Sequence, residues 1–150
     1  MQVTARVDYA IRAVVQLAAT GGSLSRGDIA AAQGIPPKFL EAILLQLRQA
    51  GLLVAQRGTA GGYALARPAD AITVADVVRV VDGPLAAVRG LPPEDTEYPD
   101  PAARLRDLWV ALRAGMRQVL ETTTIADLAS GVLPEGVAAL LAGDGAWVRR

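Results

Sequence analysis

Cysteine and histidine are both absent from this chain of 150 residues. Their absence excludes disulfides, thiolate nucleophiles, Cys/His zinc sites and iron–sulfur ligation by cysteine. It also excludes Ser-His-Asp and Cys-His catalysis. Aromatic residues are scarce, with one Phe, two Trp and three Tyr, so a core must be built from Ala, Val, Leu and Ile. The abundance of Ala and Leu favours helix. No run approaches the roughly 20 unbroken apolar residues that cross a bilayer. The opening stretch carries Arg6, Asp8 and Arg12 and lacks the basic lead and apolar run of a secretory signal. The expected location is the cytoplasm, with no membrane partner. No phosphate-loop motif is present and the acidic residues are scattered rather than paired, so an enzyme is the weakest reading.

An overall excess of charge is lacking too, since the net charge is zero. The distribution is uneven. Residues 1–68 hold Arg6, Arg12, Arg26, Lys38, Arg48, Arg57 and Arg67 against Asp8, Asp28 and Glu41, which leaves +4. Residues 69–150 carry the compensating −4. A basic half joined to an acidic half suits a DNA-contacting module with a separate second region. The length suggests one domain, or a small domain with an appendage.

Helical spacing of Val3, Val7, Ala10, Ile11, Val14, Val15 and Ala18 predicts an amphipathic helix over 3–20, ended by Gly21-Gly22. Ser25 with Asp28 predicts a capped short helix that Gly34 stops. Pro36-Pro37 then stand where the next helix begins, a place where proline forfeits no intrahelical bond. That helix runs from about Pro37 to Ala50, with Leu40, Ile43, Leu44 and Leu47 inward. Two short helices joined by a tight glycine turn are a helix-turn-helix candidate. Leu52 to Gln56 and Tyr63 to Ala66 flank the glycine-rich stretch 57–62 and predict a β-hairpin, placed as a wing would be. Thr73 caps a further helix bearing Val74, Val77, Val78 and Val81.

Residues 83–101 read as a loop rich in Pro, Gly and acids, whose acidic stretch Glu94 to Asp100 could bind a cation or a partner but is better read as flexible and solvated. A long helix from about Ala102 to Glu121 follows, its apolar stripe formed by Leu105, Leu108, Trp109, Leu112, Met116 and Val119 together with Leu120. So broad a stripe needs a partner surface, and pairing with a second copy is preferred over packing within one chain. Trp109 and Met116 could alternatively line a small-molecule pocket. Thr124 caps a last short helix, and Pro134 to Ala142 adds a turn or two. The resulting division is a winged helix-turn-helix domain over 1–82, a loop over 83–101, and a dimerisation helix with C-terminal tail over 102–150.

The expected DNA-facing set is Arg26, Pro37, Lys38, Glu41, Ala42, Arg57, Gly58 and Thr59. Helix N-terminal amides and Lys38 can hold phosphate. Glu41 can accept from cytosine N4. Arg57 can reach a phosphate or a narrow minor groove. Thr59 could donate to phosphate, and Tyr63 should pack under the wing.

These residues also carry a resemblance. The ordered series Tyr9-Ala10-Ile11-Arg12, Gly34-Ile35-Pro36, Ala50-Gly51-Leu52-Leu53, Arg57-Gly58 and Gly61 to Pro68 is similar to the Rrf-two family of bacterial transcriptional regulators. It continues through Ile72 to Val77, Val81-Asp82-Gly83, Leu108-Trp109 and Thr124 to Leu128, covering about residues 1–130. The resemblance implies a mainly α fold with a small β-hairpin, namely a winged helix-turn-helix domain plus a long C-terminal dimerisation helix. It implies a repressor that binds a palindromic double-stranded DNA operator as a homodimer. In the family, the residues matching Glu41 and Arg57 help read bases and insert at the wing. Pro37 and Lys38 stand where relatives often carry Ser or Thr, so the operator sequence does not carry over. Cluster-binding members place three cysteines in the loop before the long helix, and here that loop has none. No iron–sulfur cluster, no other cofactor and no metal are expected. Asp8, which matches a cluster ligand of some relatives, is expected to pair with Arg12 instead. The effector is left open between a small molecule and a docking protein, and a protein-binding winged helix is the rival reading.

Overall fold

The computed structural model describes residues 2–58 and 61–149. Helix α1 spans Ala5–Thr20. Thr4 caps it by accepting from the Val7 amide, which leaves Val3 outside the helix and exposed, contrary to the expected start. Gly21 ends it in a left-handed conformation. Helices α2 (Arg26–Gln33) and α3 (Pro37–Gln49) follow. Ser25 accepts from the Asp28 amide, but Asp28 takes the Ser25 hydroxyl rather than its backbone N–H, so the expected reciprocal cap is only half formed.

Strands β1 (Leu53–Gln56) and β2 (Gly62–Leu65) pair antiparallel, with Leu53 opposite Leu65 and Gln56 opposite Gly62. Tyr63 and Leu24 exchange backbone hydrogen bonds of 2.8 and 3.0 Å, which bind the hairpin to the connector between α1 and α2. The Tyr63 ring packs against the core, as expected. Helix α4 (Val74–Asp82) opens on a complete capping box of Thr73 and Asp76.

The core is aliphatic. Val14 and Leu17 of α1, Ile29 of α2, Leu40, Ile43, Leu44 and Leu47 of α3, Leu53 of β1 and Val77 of α4 are all sequestered from solvent. Ile125 joins them from far along the chain. It lies on α6 (Ile125–Ser130), which packs along α1. The return is made by backbone pairing: Val74 donates to Thr123 O and Ile125 donates to Ile72 O, each at 2.9 Å. The segment after the long helix therefore contributes to the winged-helix core.

The segment over 83–101 is largely exposed but is pinned to the fold at a few points. Leu85, Pro93 and Thr96 are buried, Val88 and Leu91 form a bridge, and Pro93–Asp95 make one 3-10 turn. The long helix α5 spans Leu105–Leu120. It starts three residues later than expected because no side chain caps an earlier turn, and hydrogen-bonded turns occupy 99–105 instead. Helix α7 (Glu135–Ala142) closes the fold, and the Trp147 indole donates to Leu141 O at 3.0 Å behind it.

Candidate nucleic-acid interface

Helix α3 has two faces with different fates. Leu40, Ile43, Leu44 and Leu47 are buried, which fixes the rotation of the helix. Lys38, Glu41, Ala42 and Leu45 recur at i, i+3, i+4 and i+7 and are exposed together. Pro36 precedes the helix and Pro37 opens it, so no side chain caps its first turn. Pro37 has no N–H, and the Phe39 and Leu40 amides donate to Pro36 O at 3.1 and 3.2 Å. The Lys38 amide is thus the first-turn donor this end presents, with the partial positive charge of a helix start. That amide and the Lys38 ammonium make the leading end of α3 suited to phosphate.

The structure brings Arg26 to Glu41 across the turn, with Nη1 2.6 Å from Oε2. Arg26 thus lies beside the exposed face of α3. Phe39 is an addition that the periodicity did not single out. It stands 57% exposed between Lys38 and the buried Leu40, with its ring centroid 6.4 Å from that of Tyr9 in an edge-on arrangement. An exposed aromatic beside the leading turn can meet a thymine methyl.

Arg57 and Gly58 leave β1 at the tip of the hairpin and are exposed. Thr59, also expected here, lies outside the described residues. Gly58 takes φ +116°, a conformation that favours glycine, and its carbonyl accepts from the Gly61 amide at 2.8 Å. At Gly62 the requirement is spatial. A Cβ there would lie 2.2 Å from the carbonyl oxygen of Leu24.

Asp8 and Arg12 form the expected pair, at 3.2 Å. Arg12 also donates to the backbone carbonyl of Gln33 and stacks over the Tyr9 ring, so the group joins α1 to the end of α2.

No side chain of α5 is fully buried within the single chain. Leu108 is exposed and Leu105, Leu112, Met116 and Val119 are only part-covered. Trp109 differs from the rest of the stripe. Its indole donates to the Tyr98 hydroxyl at 3.1 Å, and with Leu112 it lines a cavity of about 430 Å³ under residues 84–89. An ion ladder secures the other side. Arg113, only 16% exposed, meets Glu94 at 2.6 Å, and Glu121 pairs with Arg79 of α4. The Arg113 hydrogen bond holds the Glu94 carboxyl below its ordinary range. The Thr124 backbone N–H, and then its hydroxyl, do the same for Asp127 at the start of α6.

An exposed helix with an open leading turn, followed by a glycine-rich hairpin with a basic tip, defines the winged helix-turn-helix class of DNA-binding proteins. Comparison with known proteins narrows the class. Residues 3–131 match the Rrf2 family, described as iron-dependent transcriptional regulators. Rv1287 of Mycobacterium tuberculosis, named as an HTH-type transcriptional regulator, is 54% identical over 142 residues, covering 93% of this chain and 88% of that protein. The HTH-type transcriptional regulator CymR of Bacillus subtilis is 37% identical, with 87% and 91% covered. The solved structure of CymR, the global cysteine regulator of B. subtilis, superposes with a TM-score of 0.75 at 34% identity, covering 88% of this chain and 98% of that one. That of T. potens IscR gives 0.71 at 29% identity, with 87% and 88% covered. The chain belongs to the Rrf2 family of transcriptional regulators.

The family description names iron, and the residues present do not fit an iron–sulfur cluster. Such clusters are held by cysteine thiolates, with histidine as the alternative, and this sequence contains neither. Among the described residues no group of three or more acidic side chains converges as a metal site either.

Proposed function

We propose that this Rrf2-family regulator is a homodimeric, cytoplasmic repressor that binds a palindromic operator through α3 and the wing, without an iron–sulfur cluster. The observation that carries the DNA-binding mode is the exposed face Lys38, Glu41, Ala42 and Leu45 on a helix whose opposite face is locked into the core. The Lys38 ammonium and backbone amide would hold phosphate, and Glu41 would accept from a cytosine amino group in the major groove. Pro37 and Ala42 would let the helix approach closely, and Arg57, Gly58 and Thr59 would follow the backbone beside it.

Dimerisation is supported by α5, whose apolar stripe finds too little cover in its own chain. Leu105, Leu108, Leu112, Met116 and Val119 would meet a second copy. Trp109 serves the chain's own 84–98 segment on its other side. Two recognition helices would then enter successive major grooves, about 34 Å apart. No helix among the described residues is long and apolar enough to cross a membrane. The hollow beside Trp109 leaves room for a small-molecule effector, with a docking protein as the alternative.

The test is a fluorescence-anisotropy titration against DNA from upstream of the gene, with scrambled DNA as control, at several salt concentrations. Saturation at two chains per site, with a steep salt dependence, is the expected result. Absence of binding to any duplex at low salt refutes the reading and leaves a protein-binding winged helix.

A further inference from the structure

Arg26 stands where a cation does not help its own helix. It is the first residue of α2, and the leading end of a helix carries partial positive charge. Ser25 and Asp28 already supply the cap and the acidic residue that this end favours. The Arg26 side chain crosses to α3, where its guanidinium lies 2.6 Å from Glu41. Glu41 has no other partner among the described residues. The two side chains are 46% and 67% exposed, so DNA would reach the pair intact.

We propose that Arg26 is the positioning residue for the base-reading carboxylate, and so a determinant of operator specificity. The proposal rests on the operator-binding reading above. A glutamate side chain has three rotatable bonds, and a free carboxylate is repelled by the phosphates on either side of the groove. The guanidinium limits both problems. It anchors one oxygen, aims the other outward, and makes the pair neutral as it enters the polyanion's field. Arg26 then acts through Glu41 rather than by gripping a phosphate itself. The two helices of the motif would read one base pair jointly, α3 supplying the acceptor and α2 its orientation.

The two roles have different signatures. The full chain is measured by anisotropy against the operator and a complete set of single-base-pair variants of it. The proteins are wild type, Arg26→Ala, Arg26→Lys, Glu41→Ala and the double variant. If Arg26 positions Glu41, Arg26→Ala lowers discrimination about tenfold at one base pair, the same one that Glu41→Ala relaxes. The double variant is then no worse than Glu41→Ala alone, and Arg26→Lys restores part of the selectivity. Far-UV circular dichroism should be unchanged, because an exposed pair contributes little to folding. Uniform weakening on every sequence, persisting in the Glu41→Ala background, would make Arg26 a phosphate contact and overturn the proposal. Unchanged discrimination overturns it as well. A wild type that binds all duplexes equally removes the operator reading itself, and this inference with it.

Discussion

Gly62→Ala probes the joint between wing and helix-turn-helix. A Cβ at Gly62 would sit 2.2 Å from Leu24 O, 2.5 Å from the Leu24 carbonyl carbon and 2.9 Å from Ser25 N. All three are backbone atoms, so no rotamer change relieves the overlap, and the strand or the connector must move. Overpacking of this kind costs roughly 1–3 kcal/mol. Movement also strains the two hydrogen bonds exchanged by Leu24 and Tyr63, each worth about 1 kcal/mol net. The expected loss is about 2–4 kcal/mol in total. For a domain of this size that corresponds to a Tm lower by about 5–15 °C. Thermal unfolding followed by far-UV circular dichroism reads it directly. Gly136→Ala is the control, because a Cβ on that helical glycine meets nothing within 4 Å. It should leave Tm level or slightly raised, since alanine is the better helix former. A Gly62→Ala protein as stable as wild type would show that the wing is not seated on the connector, and the reasoning would fall.

Three further outcomes are expected. Arg57→Ala should weaken operator binding about tenfold at unchanged Tm, whereas Lys38→Ala should weaken all duplexes alike and lower the salt slope by about one; anisotropy at graded salt separates them. Leu108→Glu places a charge on the most exposed apolar position of α5 and should convert the proposed dimer to monomer in sedimentation velocity while α1–α4 stay folded. Asp127 has a carboxyl held below its ordinary 3.8, by the Thr124 amide first. Its contribution is therefore complete above that value and is lost as pH falls below it towards the lowered folded-state value. Asp127→Asn should flatten this part of an acid-unfolding curve.

Much of the winged domain was legible because its signals are local. Gly21 and Gly34 end α1 and α2, Pro37 opens α3, Thr73 caps α4, and the aliphatic spacing of Leu40, Ile43, Leu44 and Leu47 fixes which side of α3 faces out. Legibility failed where partners are distant in sequence. The pairing of Ile72 and Val74 with Thr123 and Ile125 joins residues some fifty positions apart, and nothing in either stretch announces the other. The segment over 83–101 is dense in proline and acids, which read as a solvated loop. It is pinned by Trp109 to Tyr98 and Arg113 to Glu94, contacts that no periodicity encodes. Of the residues proposed to face DNA, Lys38, Glu41 and Arg57 follow from the order of elements, and their exposure is what the structure adds. The Arg26–Glu41 pair depends on the crossing of two helices, and the Phe39 contact on the approach of Tyr9 from α1.

The splice of residues 123–125 into the edge of the winged domain has a mechanical consequence. It fastens the chain just beyond the trailing end of α5 by backbone bonds to a distant part of the fold, while the leading half meets the 84–98 segment through side chains. Such a helix would pivot about its trailing end. Its 16 residues make an arm of about 24 Å. A tilt of ten degrees there would carry the leading end by about 4 Å. In a pair joined through such arms, a ligand that filled the space beside Trp109 would act on the arm and not on the DNA-reading head, changing the distance between two heads that each remain rigid.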